Sequence, residues 1–280
     1  MVILFIILFN MDDLEFLINV DNNPTTEEIF MHIKYIHNLL EKNSIKHWLM
    51  YGTLLGCIRD KDVIPYDYDF DFGIMIDDYE KILSLPQEDS NYKIEKTTGT
   101  YYSKSTKFKV PETKWRISLA VVYKENKVGD LYIYYNCSDG YTRRYDPKEK
   151  LPFWPKSVFP TVLINELEYG YIRDVKLPIP NHPVLLIEYF YGPMWVTPIR
   201  ALSQNGTNNH PDYDYYGGYL YSSLNELVKR TKEEYEKDGK KIEINKPTLK
   251  EEDVDFLFPL DQFEWILNNE GIKFKHKKGK

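Results

Sequence analysis

The first periodic segment of the chain has apolar residues at helical spacing. Thr25-x-x-Glu28 has the form of a capping box, which predicts that a helix begins here. Apolar residues then recur three and four positions apart, at Ile29, Ile33, Ile36 and Leu40. This spacing places them on one side of a helix. We therefore expect the helix to cover one face of a β-sheet.

A strand, a short helix and a second strand are predicted next. The apolar run His47–Tyr51 is short enough for a buried strand, and Leu54–Arg59 has the pattern of a brief helix. From Tyr66 to Ile76 the side chains alternate with period two, which is typical of a strand with two different faces. These elements surround the part of the chain that is richest in acidic residues.

The rest of the pattern indicates an α+β fold, a mixed sheet flanked by helices, with a C-terminal helical extension. Further strands are predicted at Tyr92–Lys96, Trp115–Tyr123 and Asp130–Tyr135, a loop at Pro147–Pro160, and a hairpin at Leu163–Val175. Asn181 is predicted to cap a helix from Pro183 to Phe190, and two more helices are predicted at Leu220–Lys237 and Glu251–Asn268. We divide the chain into a leader or strand (1–24), a main domain (25–200), and a loop with a helical extension (201–280).

Composition narrows the classes of function. The net charge of −7 disfavours binding to a nucleic-acid polymer. The eight apolar residues Val2–Phe9 are far fewer than the roughly 20 needed for a transmembrane span, and no Lys or Arg precedes them as in an export signal. A cytoplasmic location is therefore favoured over the secretory pathway. Cys57 and Cys137 lie far apart, which argues against a zinc site built on thiolates.

The segment from Tyr66 to Phe72 alternates aromatic residues with Asp67, Asp69 and Asp71. On a strand the three carboxylates would share one face at a spacing of roughly 6.6 Å. At that distance two carboxylates repel by about 2.5 kcal/mol at an effective dielectric constant near 20. A divalent cation would reverse this repulsion, and oxygen ligands suit Mg²⁺ or Mn²⁺. The alternatives are an acidic strand edge in water and a calcium loop, whose required Gly and Glu are absent here.

Two further groups of residues complete the candidate site. Gly52 and Thr53 precede a predicted helix, where a backbone and a hydroxyl group can bind phosphate oxygens. Arg59 and Lys61 follow and could hold more phosphate charge. Asp130, at the head of a hydrophobic strand, could be another metal ligand or an acid in water.

Together these motifs resemble the LicD/fukutin family, a branch of the nucleotidyltransferase fold. The resemblance rests on Tyr51-Gly-Thr-Leu-Leu-Gly56, Arg59, the acidic run after Ile64-Pro65, and Asp130. Weaker matches follow at Phe159-Pro160, Pro180-Asn181, Tyr189, Tyr191-Gly192 and Trp195, so that it covers Trp48 to Pro198. The Asp-x-Asp-x-Asp form is closer to the fukutin-related arm of the family.

The resemblance implies transfer of a phospho-alcohol, such as phosphocholine or a polyol phosphate, from a CDP-linked donor to a glycan hydroxyl. It implies Mg²⁺ or Mn²⁺ held by Asp67, Asp69, Asp71 and Asp130, of which the last three are catalytic. Gly52, Thr53, Arg59 and Lys61 would bind the donor. Two rival functions stay open: a glycosyltransferase that uses a sugar nucleotide, and a catalytically silent relative that binds glycans.

Overall fold

The computed structural model describes residues 24–65, 67–96, 118–144, 158–193, 195–198 and 224–247. None of the helices in these ranges is long and apolar enough to cross a lipid bilayer. The predictions for residues 1–23, for the helix at Glu251–Asn268 and for the loop at the start of 201–280 lie outside the described residues. The division of the chain into 1–24, 25–200 and 201–280 therefore stays a prediction.

The described chain forms a seven-stranded mixed sheet and a separate two-stranded hairpin. The strands of the sheet are β1 His47–Leu49, β2 Phe70–Met75, β3 Tyr92–Lys96, β4 Ser118–Tyr123, β5 Asn126–Asn136, β6 Tyr141–Arg143 and β7 Val158–Pro160. The hairpin consists of β8 Glu168–Ile172 and β9 Val175–Ile179. The main order is β1-β2-β5-β4-β3, and β6 joins the end of β5 to β7. Only β2 and β5 are parallel neighbours among these strands.

Six α-helices accompany the sheet in the described part of the chain. They are α1 Thr26–Lys42, α2 Tyr51–Arg59, α3 Tyr79–Leu83, α4 Val162–Asn165, α5 Pro183–Tyr191 and α6 Leu224–Lys237. This architecture confirms the predicted α+β class with a mixed sheet flanked by helices. The strand predicted at Tyr92–Lys96 is found with those bounds.

The start of α1 confirms the capping box. The Thr25 hydroxyl accepts a hydrogen bond from the Glu28 N–H at 3.2 Å, and the Glu28 carboxylate accepts one from the Thr25 N–H at 2.7 Å. These two bonds satisfy amide groups that have no partner inside a helix. The buried side of α1, with Ile33 and Ile36, then packs on the sheet as its spacing predicted.

The two faces of β2 belong to different hydrophobic clusters. Phe70, Phe72 and Ile74 lie in the cluster that includes the buried residues of α1. Met75 lies in the second cluster, with Trp48 and Tyr134, under the buried residues of α5 and α6. Side chains alternate along a strand, so Asp71 belongs to the second face. The acidic residue therefore shares a face with an aromatic cluster.

Two predicted elements near the site have different bounds in the structure. The strand predicted at Tyr66–Ile76 begins only at Phe70, because pairing with β5 starts there, and Asp67 and Asp69 precede it. The helix predicted from Leu54 begins at Tyr51, since the Leu54 N–H already donates to the Met50 carbonyl at 3.0 Å. Gly52 and Thr53 therefore lie in the first turn of α2 rather than before it.

Three predictions in the later part of the chain were wrong in detail. The first residues of the hairpin predicted at Leu163–Val175 form α4, and the observed hairpin spans 168–179. The end of the predicted loop Pro147–Pro160 is strand β7. Asn181 does not cap α5, because His182 occupies the cap position in a left-handed conformation, without a side-chain cap bond. Proline at the first position accounts for this start, since its fixed φ suits a helix.

Gly73 is a position where the absence of a side chain is required. It pairs with Trp48 across β1 and β2, and a Cβ atom added there would lie 2.4 Å from the Trp48 indole. We expect Gly73→Ala to lower the free energy of unfolding by about 1–3 kcal/mol in denaturant titrations, because the fully buried indole must shift. Combined with Trp48→Phe, the loss should be smaller than the sum of the single losses. Additive losses would show that the indole is not the obstacle.

Candidate metal centre

The parallel pairing of β2 with β5 brings two acidic residues side by side. Asp71 and Asp130 are register partners on these strands. Asp69, just before β2, joins them, and each of the three offers a carboxylate oxygen within 4.8 Å of the others. Of the predicted metal ligands, these three form one group. We call Asp69, Asp71 and Asp130 the acid group.

Asp71 has an unfavourable electrostatic environment for a negative charge. Burial raises the pKa of Asp71 well above its usual value, and the charges of Asp69, Asp130 and Asp67 raise it further. The nearby Arg144 acts in the opposite direction. A divalent cation would relieve this repulsion, and three carboxylates are the donor set that Mg²⁺ or Mn²⁺ prefers. The residues present therefore fit such an ion.

Asp130 is held by two neighbours on its own side of the sheet. The Lys127 ammonium lies 2.5 Å from one carboxylate oxygen, and the Ser118 hydroxyl donates to the other at 3.2 Å. The carboxylate is only 7 % exposed, whereas the Lys127 side chain is 47 % exposed. Asp130 is thus a buried, oriented acid rather than an acid at a wet strand end.

Asp67 lies beside the acid group but is not one of its three members. Burial raises the pKa of Asp67 to about 6. A Cβ atom added at Gly52 would lie 3.0 Å from the Asp67 Oδ2 atom. The missing side chain of Gly52 therefore makes room for this carboxylate at the first turn of α2. The predicted role of Asp67 as a metal ligand stays a prediction.

Thr53 is tied to the acid-bearing strand. Its hydroxyl oxygen accepts a hydrogen bond from the Asp71 N–H at 2.8 Å, and the residue is buried. The carbonyl of Asp71 is also bound, since it accepts a hydrogen bond from the Met50 N–H at 3.0 Å. Thr53 therefore positions Asp71, a role that the sequence prediction of phosphate binding did not include.

Arg59 and Lys61 lie towards the other end of α2. Arg59 follows Thr53 by six residues, a helical rise of roughly 9 Å. Its guanidinium binds the Asp60 carboxylate, with Nη2 at 2.7 Å, and donates from Nη1 to the Trp195 carbonyl at 3.3 Å. Lys61 is exposed just beyond the helix. The structure does not bring these two residues into the acid group, and their predicted contact with the donor stays a prediction.

Arg144 lies close enough to the acid group to act on the charge of Asp71, and the sequence analysis did not identify it. It is buried, and its guanidinium lies 4.4 Å from the ring centre of Tyr132 and 5.2 Å from that of Tyr51. This is the range of cation–π contacts. The positive charge of Arg144 lowers the pKa of Asp71. The neighbouring Arg143 instead forms a two-point ion pair with Asp139, at 2.8 and 2.6 Å.

The buried charge of Asp67 predicts a pH-dependent stability. Its pKa is higher in the folded chain, so the folded chain holds this proton more tightly and loses stability as pH rises from about 4 to about 6. In EDTA, Asp67→Asn should remove a fall of about 2 kcal/mol over this range, measured by urea unfolding at a series of pH values. The exposed Asp77→Asn is the control. Parallel curves for wild type and Asp67→Asn would contradict the assignment.

The bond from Asp71 to Thr53 predicts a difference between two small substitutions. Thr53→Val keeps the shape of the side chain but leaves the Asp71 N–H without its hydroxyl acceptor, which should lower the free energy of unfolding by about 1–3 kcal/mol. Thr53→Ser retains the oxygen and should lose less. Equal losses in chemical denaturation would show that the hydroxyl does not stabilise this backbone.

Comparison with known proteins matches the part of the chain that carries the acid group to a protein family. The family model described as "LicD/FKTN/FKRP, nucleotidyltransferase domain" matches residues 44–182, about half of the chain. This range includes every predicted metal ligand and Arg144.

Individual relatives agree with the family match. Human "Ribitol-5-phosphate transferase FKTN" is 27% identical over 166 residues, which are 58% of this chain and 32% of the relative. Human "Ribitol 5-phosphate transferase FKRP" is 44% identical over 45 residues, 16% of this chain and 9% of the relative. An uncharacterized protein of Rickettsia prowazekii is 48% identical over 50 residues, 18% of this chain and 19% of the relative.

The matched part of the chain spans about a third of human FKTN and less of the other two relatives. Residues 44–182, which match the family model, carry strands β2 and β5, the first turn of α2 and the whole acid group. The chain therefore belongs to the LicD/FKTN/FKRP family.

Proposed function

We propose that this chain is a metal-dependent transferase that moves a phospho-alcohol from a CDP-activated donor to a glycan hydroxyl. The observation that carries the proposal is the acid group, whose three carboxylates lie within 4.8 Å of one another. Family membership supports it, since two relatives are named as ribitol-phosphate transferases. The donor class, the acceptor and the ion are all part of the proposal.

In this proposal Asp69, Asp71 and Asp130 hold Mg²⁺ or Mn²⁺, and Asp67 lies next to them. When bound, the ion supplies Lewis-acid charge for the oxygens of the donor diphosphate. The chain contributes rigidity, because Thr53 binds the backbone N–H of Asp71 and Met50 binds its carbonyl. A carboxylate fixed in this way does not have to reorganise during the reaction, which lowers the barrier.

Asp130 is the proposed acceptor of the proton from the glycan hydroxyl. Lys127 and Ser118 each bind one of its oxygens and so hold the carboxylate in one orientation. A general base must be oriented towards the proton that it takes. The half-exposed Lys127 also places a positive charge between Asp130 and the solvent.

Arg144 is the proposed binding group for negative charge on the donor. Its guanidinium is buried against Tyr132 and Tyr51, so little conformational freedom remains to be lost on binding. A planar guanidinium suits phosphate oxygens. Burial and the charges of Asp71 and Asp130 raise the pKa of the Tyr132 hydroxyl, so this ring stays neutral.

The test is a donor screen with the full chain, Mg²⁺ and a mixture of glycan acceptors. CDP-ribitol, CDP-glycerol and CDP-choline are compared with UDP-sugars, and CMP or UDP release is measured. We expect acceptor-dependent CMP release from at least one CDP-alcohol. Release of UDP alone would support a glycosyltransferase instead. Glycan binding without release of either nucleotide would support a catalytically silent relative.

The roles within the acid group predict a sharp contrast between aspartates of the same strand region. Asp69→Asn and Asp71→Asn should each reduce Mg²⁺-dependent CMP release by about a hundredfold or more, because charge stabilisation at the reacting phosphate is lost. The control is Asp77→Asn, an exposed aspartate just beyond the other end of β2, which should keep wild-type turnover. Near-normal turnover of both Asp69→Asn and Asp71→Asn would disprove these roles.

A further inference from the structure

A second cluster of metal-binding side chains lies between α1 and the edge strand β1. His37, Glu41 and His47 each offer one ligand atom, and the three atoms lie within 4.8 Å of one another. His37 and Glu41 are four residues apart on α1, so they share one side of the helix. His47 is the first residue of β1. We propose that this cluster is a binding site for a transition metal ion of the Zn²⁺ type.

The hydrogen bonds of His47 fix the nitrogen that is available to a metal. Its Nδ1 atom lies 2.8 Å from the Ile45 carbonyl oxygen, which can only accept, so Nδ1 carries the proton. The lone pair is therefore on Nε2, which lies 2.9 Å from the His37 Nδ1 atom. Histidines that bind metals commonly donate their other ring N–H to a backbone carbonyl or a carboxylate. His47 already has this arrangement.

Both rings are suited to binding as neutral imidazoles. Burial lowers the pKa of His37, and burial lowers the pKa of His47 to about 4. With His47 accepting, His37 donates its Nδ1 proton to the His47 Nε2 atom. A metal ion would replace that shared proton, which moves to the Nε2 atom of His37, so the ring stays neutral and no proton is released.

Glu41 supplies the negative charge and the route of entry. It is exposed, whereas both histidines are buried, so an ion can reach the cluster from the Glu41 side. The two lysines nearest in sequence to this cluster contact other groups. Lys42 forms an ion pair with Glu88, and the Lys46 ammonium donates to the Asn165 carbonyl at 3.2 Å.

The ligand types separate this cluster from the acid group. Two imidazole nitrogens and one carboxylate form a typical three-residue set for Zn²⁺, which leaves a fourth position for water. The acid group offers oxygen alone, which suits Mg²⁺. The two clusters also lie on opposite faces of the sheet, because His47 packs edge-on against Phe72, the neighbour of Asp71 in β2.

A bound ion at this place would tie α1 to β1. Among the described strands, β1 is at one end of the main sheet order and has only three residues. An ion that binds only the folded chain stabilises it in proportion to the logarithm of the ion concentration. The site would therefore act on the stability of the sheet edge.

The experiment is a Zn²⁺ titration of the untagged, metal-stripped full chain in excess Mg²⁺. Calorimetry should give one Zn²⁺ per chain, and the melting temperature should rise with Zn²⁺. Glu41→Gln should weaken binding by about tenfold or more, since loss of even an outer partner costs that much, and His37→Gln should do the same. The exposed Glu236→Gln is the matched control and should bind like wild type. Asp69→Asn/Asp71→Asn should also retain the Zn²⁺ site.

Co²⁺ provides a second readout that does not depend on activity. A site of two imidazoles and a carboxylate should give a visible cobalt spectrum without thiolate charge-transfer bands, and this spectrum should be lost in Glu41→Gln or His37→Gln. No saturable Zn²⁺ binding to wild type would overturn the proposal. Wild-type binding by folded Glu41→Gln and His37→Gln would also overturn it, as would binding that disappears only in the Asp69→Asn/Asp71→Asn variant.

Discussion

The parallel contact between β2 and β5 is the constraint on which the rest of the site depends. It places Asp71 directly beside Asp130, at a depth where water screens their repulsion poorly. Burying two carboxylates side by side costs free energy, which the packing around them must offset. Here the hydrophobic faces of both strands supply that packing, because Phe70, Phe72, Leu131 and Ile133 are all fully buried on the α1 side.

The sequence predicted correctly those elements that are fixed by residues close together in the chain. The capping box at Thr25 and Glu28 satisfies its own amides, so it predicted the start of α1 correctly. Tyr92–Lys96 was predicted with its observed bounds from alternation alone. Alternation failed for Asp67 and Asp69, because a strand also needs a partner, and β5 provides pairing only from Phe70 onward.

The candidate site was predicted only in part, for the same reason. Aspartates spaced two apart are visible in the sequence, and so is Asp130 before a hydrophobic run, although β5 begins four residues earlier, at Asn126. The position of Arg144 beside the acid group depends on contacts with Tyr51 and Tyr132, which are distant in sequence. Nothing local distinguishes it from Arg143, which serves an ion pair with Asp139. Thr53 was predicted to bind phosphate, but its observed bond to Asp71 joins positions eighteen residues apart.

The backbone of Asp71 is held by the stretch that leaves β1 and enters α2. Met50 binds its carbonyl, and Thr53 binds its N–H. Trp48, two residues before Met50, packs closely against Gly73 of β2. The packing of Trp48 and the orientation of the Asp71 carboxylate therefore depend on the same stretch of backbone. A conservative change in an uncharged side chain of β1 would therefore displace the Asp71 carboxylate, so the acid group can be altered by a residue that does not belong to it.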